Sequence, residues 1–201
     1  MNSLLRISRL IDALSDLIGR SLIWLILAAV LISAGNAIVR KLFNIGSNAF
    51  LEIQWYLFAA VFMLGAGYAF LKNAHVRIDF LSNRFSDTAR NWIDIFGLLV
   101  FLGPLCFLLI VLSWPLFVNA WNSGEMSQNA GGLIRWPVYF MIPAGMALLL
   151  LQAFSELIKR IAFLRGLIPD PIGHGHASHP DESEVEWEIE EHAAHASEEI
   201  R

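Results

Sequence analysis

IFGLLVFLGPLCFLLIVLSWPLFVNAWNSG, residues 95–124, runs for 30 residues without a charged side chain, between Asp94 and Glu125. A helix rises 1.5 Å per residue, so about 20 residues cross the ~30 Å hydrocarbon core of a bilayer. This run is long enough with several residues to spare. Working outward from it, three more charge-free windows appear. They are 21–39 between Arg20 and Arg40, 53–71 between Glu52 and Lys72, and 136–155 between Arg135 and Glu156, with 19, 19 and 20 residues. Any one of them could be a buried helix of a water-soluble protein, but four within 201 residues point to a polytopic membrane protein. Composition agrees: 56% of residues are hydrophobic and 16% charged, where a soluble domain is roughly a quarter charged. Hydrocarbon offers an open backbone no hydrogen-bond partner, so the spans must be helices. The fold class is therefore all-α, with four transmembrane helices at about 21–40, 51–72, 92–118 and 137–159 in a membrane domain over 20–165.

The first run is longer than the 7–15 residues of a signal-peptide core, so it reads as a retained span. Lys and Arg resist translocation, and their asymmetry sets topology. The N-terminal segment, the loop after span two and the segment after span four together hold ten cations (Arg6, Arg9, Arg20, Lys72, Arg77, Arg84, Arg90, Lys159, Arg160 and Arg165), against Arg40, Lys41 and Arg135 on the opposite loops. Both termini are expected to be cytoplasmic. Over residues 1–19, Leu4, Ile7, Leu10, Ile11, Leu14, Leu17 and Ile18 share one helical side, while Arg6, Arg9, Asp12 and Asp16 share the other. Such a segment can lie flat at the headgroups as an interfacial amphipathic helix, or can extend span one into the cytoplasm; the flat helix is the favoured reading. From Asp170 onward ten of the 18 acids meet one of the 14 cations. An acidic segment with so little apolar content is expected to be disordered over 166–201. Its histidines (His174, His176, His179, His192 and His195) are irregularly spaced and lack the cysteine that would strengthen a metal site.

Inside the spans, chemistry is scarce. None contains a histidine, which excludes the paired axial ligands of a small cytochrome b subunit. No phosphate-binding loop or nucleophile motif appears, so enzymatic activity is not expected. Coupled carriers usually bury ionisable groups near the midplane, whereas here Glu52 and Glu156 stand only at the span ends. Ala29, Ser33 and Ala37 in span one, and Gly65 and Ala69 in span two, allow close helix approach. Gly103-Pro104 and Pro115 are expected to bend span three. Cys106, the single cysteine, falls inside that span and reads as packing. The polar loop 123–137, with Gly131-Gly132, reads as a turn into span four.

Residues 71–80, LKNAHVRIDF, place a cluster of titratable groups at the exit of span two. In an extended backbone His75, Arg77 and Asp79 would point one way and Val76, Ile78 and Phe80 the other. The polar side would either satisfy itself as an Arg77–Asp79 turn or contact lipid phosphate or a partner. Extended to EIQWYLFAAVFMLGAGYAFLKNAHVRID (52–79), the sequence resembles the small membrane subunit, DctQ type, of tripartite ATP-independent periplasmic (TRAP) transporters. Gly131-Gly132-Leu133, Trp136-Pro137, Pro143 and Leu151-Gln152 extend the resemblance over about 18–165; the acidic tail departs from it.

The resemblance implies an inner-membrane protein in a three-part importer, with a periplasmic substrate-binding protein and a large multispan subunit as partners and lipid around it. No nucleic acid is implied. The large subunit would carry the organic-acid and sodium sites, leaving this subunit without a cofactor and acting as a support. Candidate contacts with that subunit or with inner-face lipid are Glu52, Trp55, Gly65, His75, Arg77 and Asp79. Glu52 opens span two, where Arg40 or Lys41 could pair with it. A self-sufficient homo-oligomeric carrier or channel is the alternative function.

Overall fold

The protein is described by a computed structural model covering residues 2–44, 46–73 and 86–169. Helices account for nearly all of it: α1 (Asn2–Phe43), α2 (Asn48–Leu71), α3 (Asp87–Gly97), α4 (Gly103–Ser123) and α5 (Trp136–Leu164), with a π-helical turn, Leu98–Leu102, fusing α3 to α4. That makes four membrane-length rods, the third being the continuous Asp87–Ser123 unit. Residues 2–19 are helical and continue into span one without a break. At 42 residues, α1 is about 63 Å long, roughly twice the hydrocarbon thickness.

Local chemistry sets the ends. Asn44 closes α1 in a left-handed conformation (φ 54°), its N–H donating to the Arg40 carbonyl at 3.1 Å. Ser86 caps α3, its hydroxyl accepting from the Ala89 N–H at 3.3 Å. Gly124 ends α4 at φ 61°. Pro137 stands in the first turn of α5, where a missing N–H has no helical partner to lose.

The π-turn explains how span three holds Pro104. A proline inside an α-helix collides with the carbonyl four residues back. Here Gly103 N–H bonds instead to the Leu98 carbonyl, five residues back, and the widened turn precedes the proline ring. Pro115 lies within α4, and the Ser113 hydroxyl two residues earlier donates to the Leu109 carbonyl at 2.6 Å.

Helices α1, α2 and α5 pack against one another, whereas α4 leans on α5. Among the described residues the arrangement is thus a triangle of rods with a fourth laid alongside. Helices α2 and α5 approach closely at Gly145, where a Cβ would collide with the Met63 backbone carbonyl of α2. Polarity is inverted relative to a soluble fold. Large apolar side chains such as Leu10, Trp24 and Phe62 are more than 70% exposed, while the bulkiest fully buried ones include Arg160, Gln152 and Asn91. Lipid can solvate the former, and only protein can satisfy the latter.

Candidate functional site

Two polar clusters join the rods, one at each end. At the first, Glu52 is buried in the opening turns of α2. Its carboxylate accepts from the Ser127 hydroxyl, from Asn129 Nδ2 at 2.8 Å and from the Leu133 backbone N–H at 2.6 Å. All three donors belong to the loop between α4 and α5. The loop folds into a small hairpin through an antiparallel bridge, Met126 to Ile134, and is tied further to α2. Asn48 Nδ2 donates to the Ala130 carbonyl at 3.0 Å, and the Tyr56 hydroxyl to the Ile134 carbonyl at 2.9 Å. Gly132 has a specific reason to be glycine, since a Cβ there would lie 2.5 Å from Ser127 Cβ and 2.8 Å from Glu52 Oε1. Arg135 pairs with Glu125 at 3.3 Å and donates to Tyr139 at 3.3 Å. Those contacts, the Tyr139 bond first, hold its guanidinium above the ordinary pKa. Behind the loop, Phe117, Trp121, Trp136 and Phe140 interlock, with the Trp121 and Trp136 rings 4.6 Å apart.

The opposite end joins α1 to α5 through a ladder of side chains. Ser15 Oγ donates to Gln152 Oε1 at 2.7 Å, and Gln152 Nε2 to Asp12 Oδ1 at 2.9 Å. Ser155 Oγ donates to the same Asp12 oxygen at 2.7 Å and lies 2.7 Å from Ser8 Oγ. Lys159 reaches Asp12 Oδ2 at 3.2 Å and also pairs with Glu156. The next residue, Arg160, 2% exposed, turns the other way and pairs with Asp94 of α3 at 2.6 Å. A third link joins α1 to the end of α2, where Lys72 meets Asp16 at 2.9 Å and Arg20 meets the other Asp16 oxygen at 2.7 Å. The Asp16 bond raises the Lys72 pKa above its ordinary value.

The expected candidates are distributed unevenly. Glu52 is the centre of the first cluster, but its partners come from the 127–133 loop and not from Arg40 or Lys41. Trp55 is largely exposed and lines, with Glu52, Tyr56 and Arg135, a cleft of about 300 Å³. Gly65 lies where α2 meets Leu22 of α1. His75, Arg77 and Asp79 lie outside the described residues, as does the tail from 170 with its histidines. The α1–α5 ladder was missed, although the signal was present. Ser8, Asp12 and Ser15 recur at i, i+4, i+7, and Gln152, Ser155 and Lys159 at i, i+3, i+7, so each helix carries a polar stripe.

Four membrane-length helices, clamped at both ends by polar groups that bond mainly to one another, define a small multi-pass membrane protein. More particularly, the chain belongs to the family described as Tripartite ATP-independent periplasmic transporters, DctQ component, which matches residues 29–163. It is therefore a small membrane subunit of a TRAP transporter, a component of a transporter and not of an enzyme family. No curated protein and no solved structure matches it.

Proposed function

We propose that this subunit is a rigid support for the large transport subunit of a sodium-driven importer of organic acids, and that it carries no substrate itself. The observation that supports this reading is where the polar groups go. The four charge-free windows leave the membrane-crossing stretch of each rod without a charged side chain, and Glu52, Lys159 and Arg160, beyond those windows, are engaged in joining one element to another. A moving carrier needs midplane polar groups and a yielding interface; this arrangement has Gly145 pressed on the α2 backbone and the loop fixed by Glu52.

In this reading the exposed apolar flank of α4 and α5 faces the large subunit or lipid, and the periplasmic binding protein docks across both membrane subunits. Sodium coupling resides on the large subunit, and no cofactor is held here. The end carrying Arg160 and both termini faces the cytoplasm, following the cation asymmetry. Co-expression and reconstitution test the proposal. The chain should purify with a large multispan subunit, and sodium-dependent uptake of an organic acid in liposomes should require both together with the binding protein. Uptake by liposomes containing this chain alone would overturn it and favour the homo-oligomeric carrier.

A further inference from the structure

Beside the Glu52 cluster, a second polar feature has no role in joining helices. The last turns of α1 and the first turns of α2 diverge into a groove of about 450 Å³ lined by Asn36, Arg40, Lys41, Asn44, Leu51 and Gln54. Ser33 and Ala37, with short side chains, also line it. Arg40 and Lys41 are exposed, and neither has a carboxylate within ion-pairing distance among the described residues, unlike Arg20, Lys72, Arg90, Arg135, Lys159 and Arg160. Asn44 is brought to the rim by its left-handed backbone. Two cations and three carboxamides thus converge on one concavity at the membrane end of α1. Part of the charge serves the helix itself, since cations near a C-terminus interact favourably with its dipole, but that role requires neither the amides nor the groove.

We propose that this groove binds a phosphate oxyanion, with Arg40 and Lys41 supplying the charge and Asn36, Asn44 and Gln54 the hydrogen bonds. A phosphodiester fits the donor set because it offers oxygens in several directions and a single negative charge. The surroundings favour the headgroup of an anionic membrane phospholipid as its source: Leu42 (70% exposed), Phe43 (66%) and Phe50 (52%) flank the groove in the chain and offer acyl chains an apolar surface.

Native mass spectrometry of the full chain, co-purified with its large subunit and delipidated, tests this with phosphatidylglycerol, phosphatidylcholine and inorganic phosphate as separate probes. Phosphatidylglycerol adducts should exceed phosphatidylcholine adducts. The Arg40→Gln/Lys41→Gln variant should weaken the phosphatidylglycerol adduct about 25-fold, near fivefold for each cation removed next to a charged headgroup. The charge-conserving Arg40→Lys/Lys41→Arg variant should retain most of it, and Asn36→Ala should weaken it without altering net charge. Competition by millimolar inorganic phosphate would assign the same site to a soluble phosphate. Equal binding of both lipids, or an unchanged phosphatidylglycerol adduct in the double glutamine variant, would overturn the proposal.

Discussion

Replacing Asp94 with leucine removes the nearest carboxylate from Arg160 while keeping a side chain of similar bulk. In the native protein Arg160 Nη1 lies 2.6 Å from Asp94 Oδ2. Two further contacts are longer, 3.4 Å to Asn91 Oδ1 and 3.9 Å to Glu156 Oε2, and Glu156 is also engaged by Lys159. The guanidinium is 2% exposed and so has almost no access to water. Breaking a buried pair from one side costs about 3–5 kcal/mol because the remaining charge stays buried. Asp94 is itself 30% exposed, which places the expected loss near the lower bound, about 3 kcal/mol. Removing both charges tells a different story. With Arg160→Met added, the site becomes apolar and the double variant should lie within about 1 kcal/mol of the native protein. The coupling energy of the cycle is then at least about 2 kcal/mol in size. Unfolding free energies from SDS titration in mixed micelles measure all four corners. Hydrogen exchange should in parallel show α3 opening more readily in the single variant, because α3 is held to α5 by this pair. A single-variant cost below about 0.5 kcal/mol, or simple additivity in the cycle, would refute the reasoning.

Three further outcomes are expected. Glu52→Gln presents a donor where the carboxylate accepts from Ser127, Asn129 and Leu133, so amide exchange across 124–135 should quicken and the yield of the assembled complex should fall without a change in which substrate is transported; an unchanged Leu133 exchange rate would contradict the geometry. Gly145→Ala forces a methyl into the Met63 carbonyl and should cost about 1–3 kcal/mol on SDS titration, whereas alanine at Gly35, with nothing within 4 Å of its Cβ position, should be nearly silent. The Lys72–Asp16 link raises the lysine pKa in the folded state above about 10.5, so its stabilising contribution is complete below the unfolded-state pKa and disappears as pH rises through the folded value; native protein should lose resistance to SDS above about pH 10 more than Lys72→Met does.

The spans were readable because hydrocarbon imposes one simple demand, length without charge, and the windows at 21–39, 53–71, 95–124 and 136–155 meet it. All four fall inside membrane-length helices, apart from Gly124, which ends the third. Glu52 could be singled out as a lone carboxylate at a span end, yet its partners could not. The nearest opposite charges in sequence, Arg40 and Lys41, suggested an ion pair, but the carboxylate is satisfied by a neutral hydroxyl, an amide and a backbone N–H. Hydrogen bonds of that kind leave no trace in charge pattern. On a helix lying flat at the headgroups, Asp12 would face water and lipid phosphate. Asp12, Ser155 and Lys159 instead use a protein partner, a distinction that depends on which face each helix turns inward. Neither proline in span three announces whether it will bend the rod or be accommodated by a wider turn, because that depends on one backbone hydrogen bond shifting by a residue.

That shift gives the third rod an expansion joint. Between Asp94, tethered to Arg160 at one end, and Trp121, wedged against Trp136 at the other, the helix must keep both halves facing the same neighbour. The turn at 98–102 takes up more residues per revolution than the helix on either side. A length error introduced there could be swallowed by tightening or loosening that one loop of backbone, leaving both moorings in place. The same slip introduced within α4 would rotate the aromatic end away from its berth.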